Sequence, residues 1–250
     1  MASRSLIACA GAALLFAAGV SSAAEFTIAN GQIYTPGLVI VDAPQPETPL
    51  GGDLIEVALD VSTNGRLQLP PYPEDSRTMI HNISIFLFSY ETGRNFTITN
   101  GTASANIASL GDIMFQEPGS TVKHVKWVWP DCLVGDGEEG QGLGDTDRGV
   151  YNISIRQSFR LDGEDHYTIF DLPISVTNSI PASIERPSCD ALDNPLLTHE
   201  EILASADTDM PVMFAPGDAT ALITDLNGAA SWKGRMGWLG LMGLVGVLIM

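Results

Sequence analysis

Residues 151–159 read Tyr-Asn-Ile-Ser-Ile-Arg-Gln-Ser-Phe. Tyr151, Ile153, Ile155, Gln157 and Phe159 fall on one side of an extended chain, and Asn152, Ser154, Arg156 and Ser158 on the other. Successive side chains of a strand point to opposite faces, so this period of two with one apolar side predicts a half-buried strand. Ile55, Val57, Leu59 and Val61 repeat the pattern against Glu56, Ala58 and Asp60. Further strands are expected over 26–34, 37–42, 80–90, 95–100, 112–116, 122–129 and 167–176. Pro173 is expected to interrupt the last, because it has no N–H to give to a ladder.

Turn chemistry separates these runs: Asn64-Gly65, Pro70 to Pro73, Thr92-Gly93, Pro118-Gly119 and Asp162-Gly163. Many short strands, with no helix long enough to cover a parallel sheet, predict an all-β fold. The expected architecture is an antiparallel β-sandwich, immunoglobulin- or fibronectin-like, with a short C-terminal extension. From Pro181 onward, five prolines break up a stretch rich in Asp, Ser and Ala. Its one expected element is a short helix opened by a capping box, Thr198 with Glu201 three residues on.

The two ends carry processing signals. Arg4, the apolar run Leu6 to Val20 and the small residues Ser22-Ala23-Ala24 are read as a secretory signal peptide, whose cleavage is expected to leave Glu25 or Phe26 first. Near the other end, Asn227, Gly228, Ala229 and Ala230 lead through Lys233 and Arg235 into the apolar run Met236 to Met250. As a helix that run would rise about 22 Å, short of a hydrocarbon core of about 30 Å. It is therefore read as a glycosylphosphatidylinositol (GPI) attachment signal, with Asn227, Gly228 or Ala229 as the attachment residue. The expected organisation is a signal peptide over 1–24, a β-sandwich over 25–180, a disulfide-tethered extension and acidic stalk over 181–227, and a removed propeptide over 228–250.

An extracellular route gives other residues a meaning. Asn82, Asn95, Asn100 and Asn152 each begin an N-glycosylation sequon, and the Asn152 glycan is expected on the polar side of its strand. Cys9 leaves with the signal peptide, so Cys132 and Cys189 are the pair an oxidising compartment would join. The formal net charge is −18, and three of the 12 basic residues, Arg4, Lys233 and Arg235, lie in the segments expected to be removed. So acidic a surface repels nucleic acid and anionic lipid headgroups.

Candidate chemistry is sparse. His81, His124, His166 and His199 form no zinc-binding pair at helical spacing, and no GxSxG elbow or phosphate-binding glycine loop is present. Copper-dependent polysaccharide oxygenases need an N-terminal histidine, where this chain would offer Glu25. Among Glu56, Asp60, Glu117, Asp131 and Asp171, nothing marks an acid and a base for glycoside hydrolysis. No cofactor is expected. Calcium is the one small ligand with candidate donors, Asp136, Glu138, Glu139, Asp145 and Asp147 in an acidic, glycine-rich loop, whose spacing matches no EF-hand. Phe86, Phe88 and Tyr90 share a strand face with Asn82 and are candidate glycan contacts.

The strand Asn82-Ile-Ser-Ile-Phe-Leu, the run Asn95-Phe-Thr-Ile-Thr-Asn-Gly-Thr, Val122 to Trp129 closing in Trp129-Pro130, Gly149-Val-Tyr-Asn-Ile-Ser-Ile and Tyr167-Thr-Ile-Phe follow one another in an order that bears a resemblance. It resembles the immunoglobulin-like domain of fungal secreted and GPI-anchored wall proteins, including the yeast family associated with β-1,6-glucan assembly. The stretch covered is roughly Leu54 to Val176, and the stalk here is short and acidic where that family's is long and Ser/Thr-rich. Asp147-Arg-Gly-Val-Tyr151 also resembles the approach to strand F of immunoglobulin domains, with Tyr151 as the corner tyrosine and Ile153 where a cysteine often stands. Trp127 and Trp129 are spaced to face the core together.

The function expected is a non-enzymatic one: a GPI-anchored extracellular glycoprotein of a fungal surface, acting in cell-wall organisation, adhesion or glycan binding. Its partners would be the plasma membrane, through the lipid, and wall polysaccharide. A secreted carbohydrate-active enzyme and a calcium-dependent recognition module are the alternatives.

Overall fold

The computed structural model describes residues 24–104, 106, 111–137, 147–216 and 221–223, with backbone alone at 24–25 and 221–223. It is all-β, with few and short helices, and its strands form two sheets. The strand predicted around Tyr151 runs from Gly149 to Leu161 and organises one of them. It is β9 in an order of β1 (Ala24–Ala29), β2 (Gln32–Tyr34), β3 (Ile40–Ala43), β4 (Pro49–Leu50), β5 (Leu54–Asp60), β6 (Met79–Ser89), β7 (Arg94–Thr99), β8 (Val122–Val128), β9, β10 (Glu164–Val176) and β11 (Ala221–Ile223). β9 is antiparallel to β10 on one side and to β6 on the other. β7 lies beyond β6, and β4 adds parallel to the far end of β10, giving the order β4-β10-β9-β6-β7. The second sheet runs β11-β1-β2-β3-β5-β8. The β9–β10 hairpin turns on Asp162-Gly163, with φ of 52° and 99°. Asp tolerates and Gly favours that left-handed region, so the dipeptide closes the two-residue loop.

Three local expectations change. The run 26–34 is a hairpin, β1 and β2, because Asn30-Gly31 takes φ of 55° and 78° and reverses the chain. The run 112–116 is a series of turns: Asp112 Oδ1 accepts from Met114 N at 2.7 Å and Asp112 O from Gln116 N at 3.0 Å, local bonds that compete with a ladder. Pro173 does not interrupt β10. Its carbonyl accepts from Glu47 N at 2.7 Å, so its nitrogen faces the side away from β9, where β4 pairs only with Ser175 and Val176. No ladder bond is lost, as proline at such an edge requires.

Both sheets contribute to one apolar core. Val57, Leu59, Val125 and Trp127 of one meet Ile83, Ile85, Leu87, Phe96, Ile153, Ile155 and Phe170 of the other. Trp127 and Trp129 are fully buried, as their spacing predicts, with ring centroids 5.9 Å apart in an edge-on contact.

One core position is polar. Gln157 is 0 % exposed; its Oε1 accepts from Val39 N at 2.9 Å and its Nε2 donates to Thr35 Oγ1 at 2.8 Å, joining the two sheets. Gly37 permits this approach, since a Cβ there would stand 2.3 Å from Oε1. Gln157→Leu is expected to cost about 2 kcal/mol, read from a urea midpoint, because it strands the Val39 N–H in an apolar core. A loss under about 0.5 kcal/mol would show that the bond carries no stability.

Candidate functional site

The chain after β10 folds back across the outer face of the β4-β10-β9-β6-β7 sheet. Arg186 anchors it first, donating to Trp129 O at 3.0 Å and Pro181 O at 2.7 Å. Cys189, opening α1 (Cys189–Leu192), is bonded to Cys132 just beyond β8, and its N–H donates to Asp131 Oδ1 at 3.0 Å. Asn194 N then donates to Asn95 O at 2.8 Å, Asn95 Nδ2 to Pro195 O at 2.9 Å, and Tyr90 Oη to Leu197 O at 2.9 Å. The capping box is formed as predicted: Thr198 N donates to Glu201 Oε2 at 2.8 Å, Glu201 N to Thr198 Oγ1 at 3.3 Å, and α2 (His199–Ala204) comes next. Asp207 reaches the opposite edge, exchanging backbone and carboxylate bonds with Tyr167. Phe214 lies under Arg66, and β11 pairs with β1. Over 181–216 the chain forms a docked extension tied down by the disulfide. This acidic segment packs on the sheets, because its carbonyls and carboxylates find donors along two strand edges.

Beneath α2 lies a polar cluster. Asp171 and Ser154 face each other across β10 and β9, with Arg156 two residues along β9 on the same face, and His199 at the start of α2 lies within electrostatic reach of Asp171. Asp171 is 5 % exposed, and burial raises its pKa against the opposing pull of Ser154, Arg156 and His199. The Arg156 guanidinium stacks 4.2 Å above the Phe86 ring. Among the described residues, Asp171 Oδ1, Ser154 Oγ, Arg156 Nε and both His199 ring nitrogens complete no hydrogen bond. Ser154, His199 and Asp171 are the residue types of a hydrolase relay, yet the imidazole bonds neither partner and the hydroxyl is closed off from solvent. The geometry is that of a buried polar patch of the kind internal water satisfies.

Asp171→Asn tests the cluster. A raised carboxyl pKa means that the native state holds more protons than the unfolded chain between the two values. Stability is then lost as pH rises through that window. The amide is expected to raise the melting temperature at pH 7 and to lose that advantage near pH 4, where the wild-type carboxyl protonates in both states. A variant less stable at pH 7 would show that the charge is compensated.

The structure separates the other candidate residues. Phe86, Phe88 and Tyr90 are no open aromatic platform: Phe88 is buried, Phe86 lies under Arg156, and Tyr90 bonds the extension. Asn82 and Asn100 are exposed, whereas Asn95 is 5 % and Asn152 1 % exposed. Asn152 does lie on the polar face of β9, but at the end of that face where Asn152 and Ser154 are buried. Asp147 accepts from Arg94 at 2.8 Å, and the same guanidinium reaches Asp193 at 3.0 Å and Asp190 at 3.3 Å, which holds it firmly protonated. Asp136 is described; Glu138, Glu139 and Asp145 lie outside the described residues, as do Asn227, Gly228, Ala229 and nearly all of the segment expected to be a signal peptide.

The histidines do not converge: His81 pairs with Asp165, His124 with Glu117 and His166 with Asp207. Glu56 pairs with Lys126, and Asp60 accepts from Ser62 N and Asn64 N. Asp131 stands beside the two cysteine sulfurs, which are committed to each other. Sequence reasoning missed the Arg94 hub and the electrostatic coupling of Asp171 to His199, whose partners lie far apart in the chain; only the alternation of β9 hinted that Ser154 and Arg156 share a face. Comparison with protein-family models, with curated proteins and with solved structures finds no match for this chain.

Proposed function

We propose that the chain is a secreted, lipid-anchored surface module with an immunoglobulin-like β-sandwich, acting by display and binding rather than by catalysis. The strand order carries the fold part of this reading. β3, β5 and β8 run antiparallel in one sheet, and β10, β9, β6 and β7 in the other, with β4 crossing over to pair in parallel with β10. Tyr151 also donates its hydroxyl to Asp147 O, four residues upstream, as a corner tyrosine does. The sequence supports the location: a secretory leader before β1, and a small-residue site followed by an apolar run after β11. The lipid would hold the module at the outer leaflet, beside wall polysaccharide, where it contributes to wall organisation, adhesion or glycan binding.

The test is expression with native ends in a fungal host, treatment of membranes with phosphatidylinositol-specific phospholipase C, and incubation of the released protein with chitin, β-1,3-glucan and β-1,6-glucan. Release and retention on one polymer are expected. A product that stays in the membrane with residues 236–250 still attached would overturn the anchor. Polymer turnover by the released protein would overturn the non-enzymatic role.

A further inference from the structure

The four sequons divide by their place on the sheet. Asn95 and Asn152 lie on the outer face at the end where the extension enters, and their sequon hydroxyls are engaged or buried too. Thr97 Oγ1 accepts from Asn194 Nδ2 at 3.0 Å, and Ser154 is wholly buried in the cluster beside α2. The Asn95 amide that would carry a sugar donates instead to Pro195 O. A glycan on Asn95 would take the place of the extension, and one on Asn152 has no path to solvent.

Asn82 and Asn100 stand elsewhere. The extension crosses from the β7 edge at Asn95 to the β10 edge at Tyr167, and so leaves open the corner where β6 begins and β7 ends. Both residues are exposed there, next to each other: a Cβ on Gly101, the residue after Asn100, would stand 2.3 Å from Asn82 Oδ1. We infer that the native protein carries N-linked oligosaccharides at Asn82 and Asn100 alone, as a pair covering the corner of the outer face that the extension leaves bare. Sugar transfer precedes folding, so a chain modified at Asn95 or Asn152 loses the docked extension and leaves the native population. The outer face of this sheet is then covered by two devices, peptide and glycan.

This inference rests on the secretory reading, and its test separates the two. The full chain is expressed in a eukaryotic secretory host and the product with the Cys132–Cys189 bond closed is isolated. Its sequon peptides are mapped after peptide N-glycosidase F in ¹⁸O-water, which marks each formerly glycosylated Asn as ¹⁸O-labelled Asp. Label at Asn82 and Asn100 only is the expected result, with Asn82→Gln and Asn100→Gln each removing one glycan and the double variant leaving none. Label at Asn95 or Asn152 in the disulfide-closed product overturns the inference and leaves secretion standing, as does a secreted product without label. A chain retained in the cytosol with reduced cysteines overturns the secretory reading, and the inference with it.

Discussion

Replacing both Cys132 and Cys189 by alanine is expected to lower stability by about 4 kcal/mol, the chain-entropy value for a loop of this size. The cross-link spans 57 residues, from the end of β8 to the start of the extension. For a domain of this length the loss corresponds to a melting temperature lower by roughly 10 °C. The double variant avoids a lone thiol, so the change reports the missing cross-link alone. Beyond Cys189 the chain is held by half-buried polar bonds, among them Asn95 to Pro195 O and Tyr90 to Leu197 O, and by a few apolar side chains, Ile202 buried and Leu192, Met210, Met213 and Phe214 partly so. The variant should therefore also become cleavable over 190–216 before the sheets unfold, because segments held by such bonds open locally at low cost. Thermal melting and timed proteolysis with mass mapping check both parts. Unchanged melting with unchanged protection would mean that the extension holds itself and that the disulfide is incidental.

Trp127→Ala is expected to cost about 3–5 kcal/mol, the range for deleting a large aromatic ring from a packed core. The ring is fully buried, 5.9 Å from the centroids of both Phe96 and Trp129, and so bridges the two sheets at one end of the core. Its indole N–H has no hydrogen-bond partner among the described residues, so packing rather than polarity makes the contribution. Trp127→Phe should then recover a large part of the loss. Urea unfolding at constant slope measures both variants. A loss below about 1 kcal/mol for the alanine variant would show that the sheets do not depend on this contact.

The strand pattern is legible because it is local. The alternation at 151–159 and 55–61 depends on a period of two set by backbone geometry, and Thr198 with Glu201 makes its bonds within one turn of helix. Asn30-Gly31 carries its turn signal just as locally, but the apolar residues on either side of it merge into one apparent run. Pro173 misleads for a different reason. Whether a missing N–H matters depends on which edge it faces, and that is a property of the pairing.

The covering of the polar face is not legible at all. Asn152, Ser154 and Arg156 alternate with the core residues of β9 and read as solvated, yet Asn152 and Ser154 are buried and Arg156 is partly so. The all-β class, the core face of each main strand, the one cysteine pair and the start of α2 can be read from the chain alone, since each rests on near neighbours or on elimination among its residues. Folding in three dimensions was needed to choose which sequons face solvent, to bring Asp171 within electrostatic reach of His199 and Arg94 among three carboxylates, and to lay the extension after Pro181 across the outer face of one sheet. Those outcomes come from contacts between residues about 30 to 100 positions apart, whose free energy appears only once the sheets have formed and offer their edges and outer face as partners.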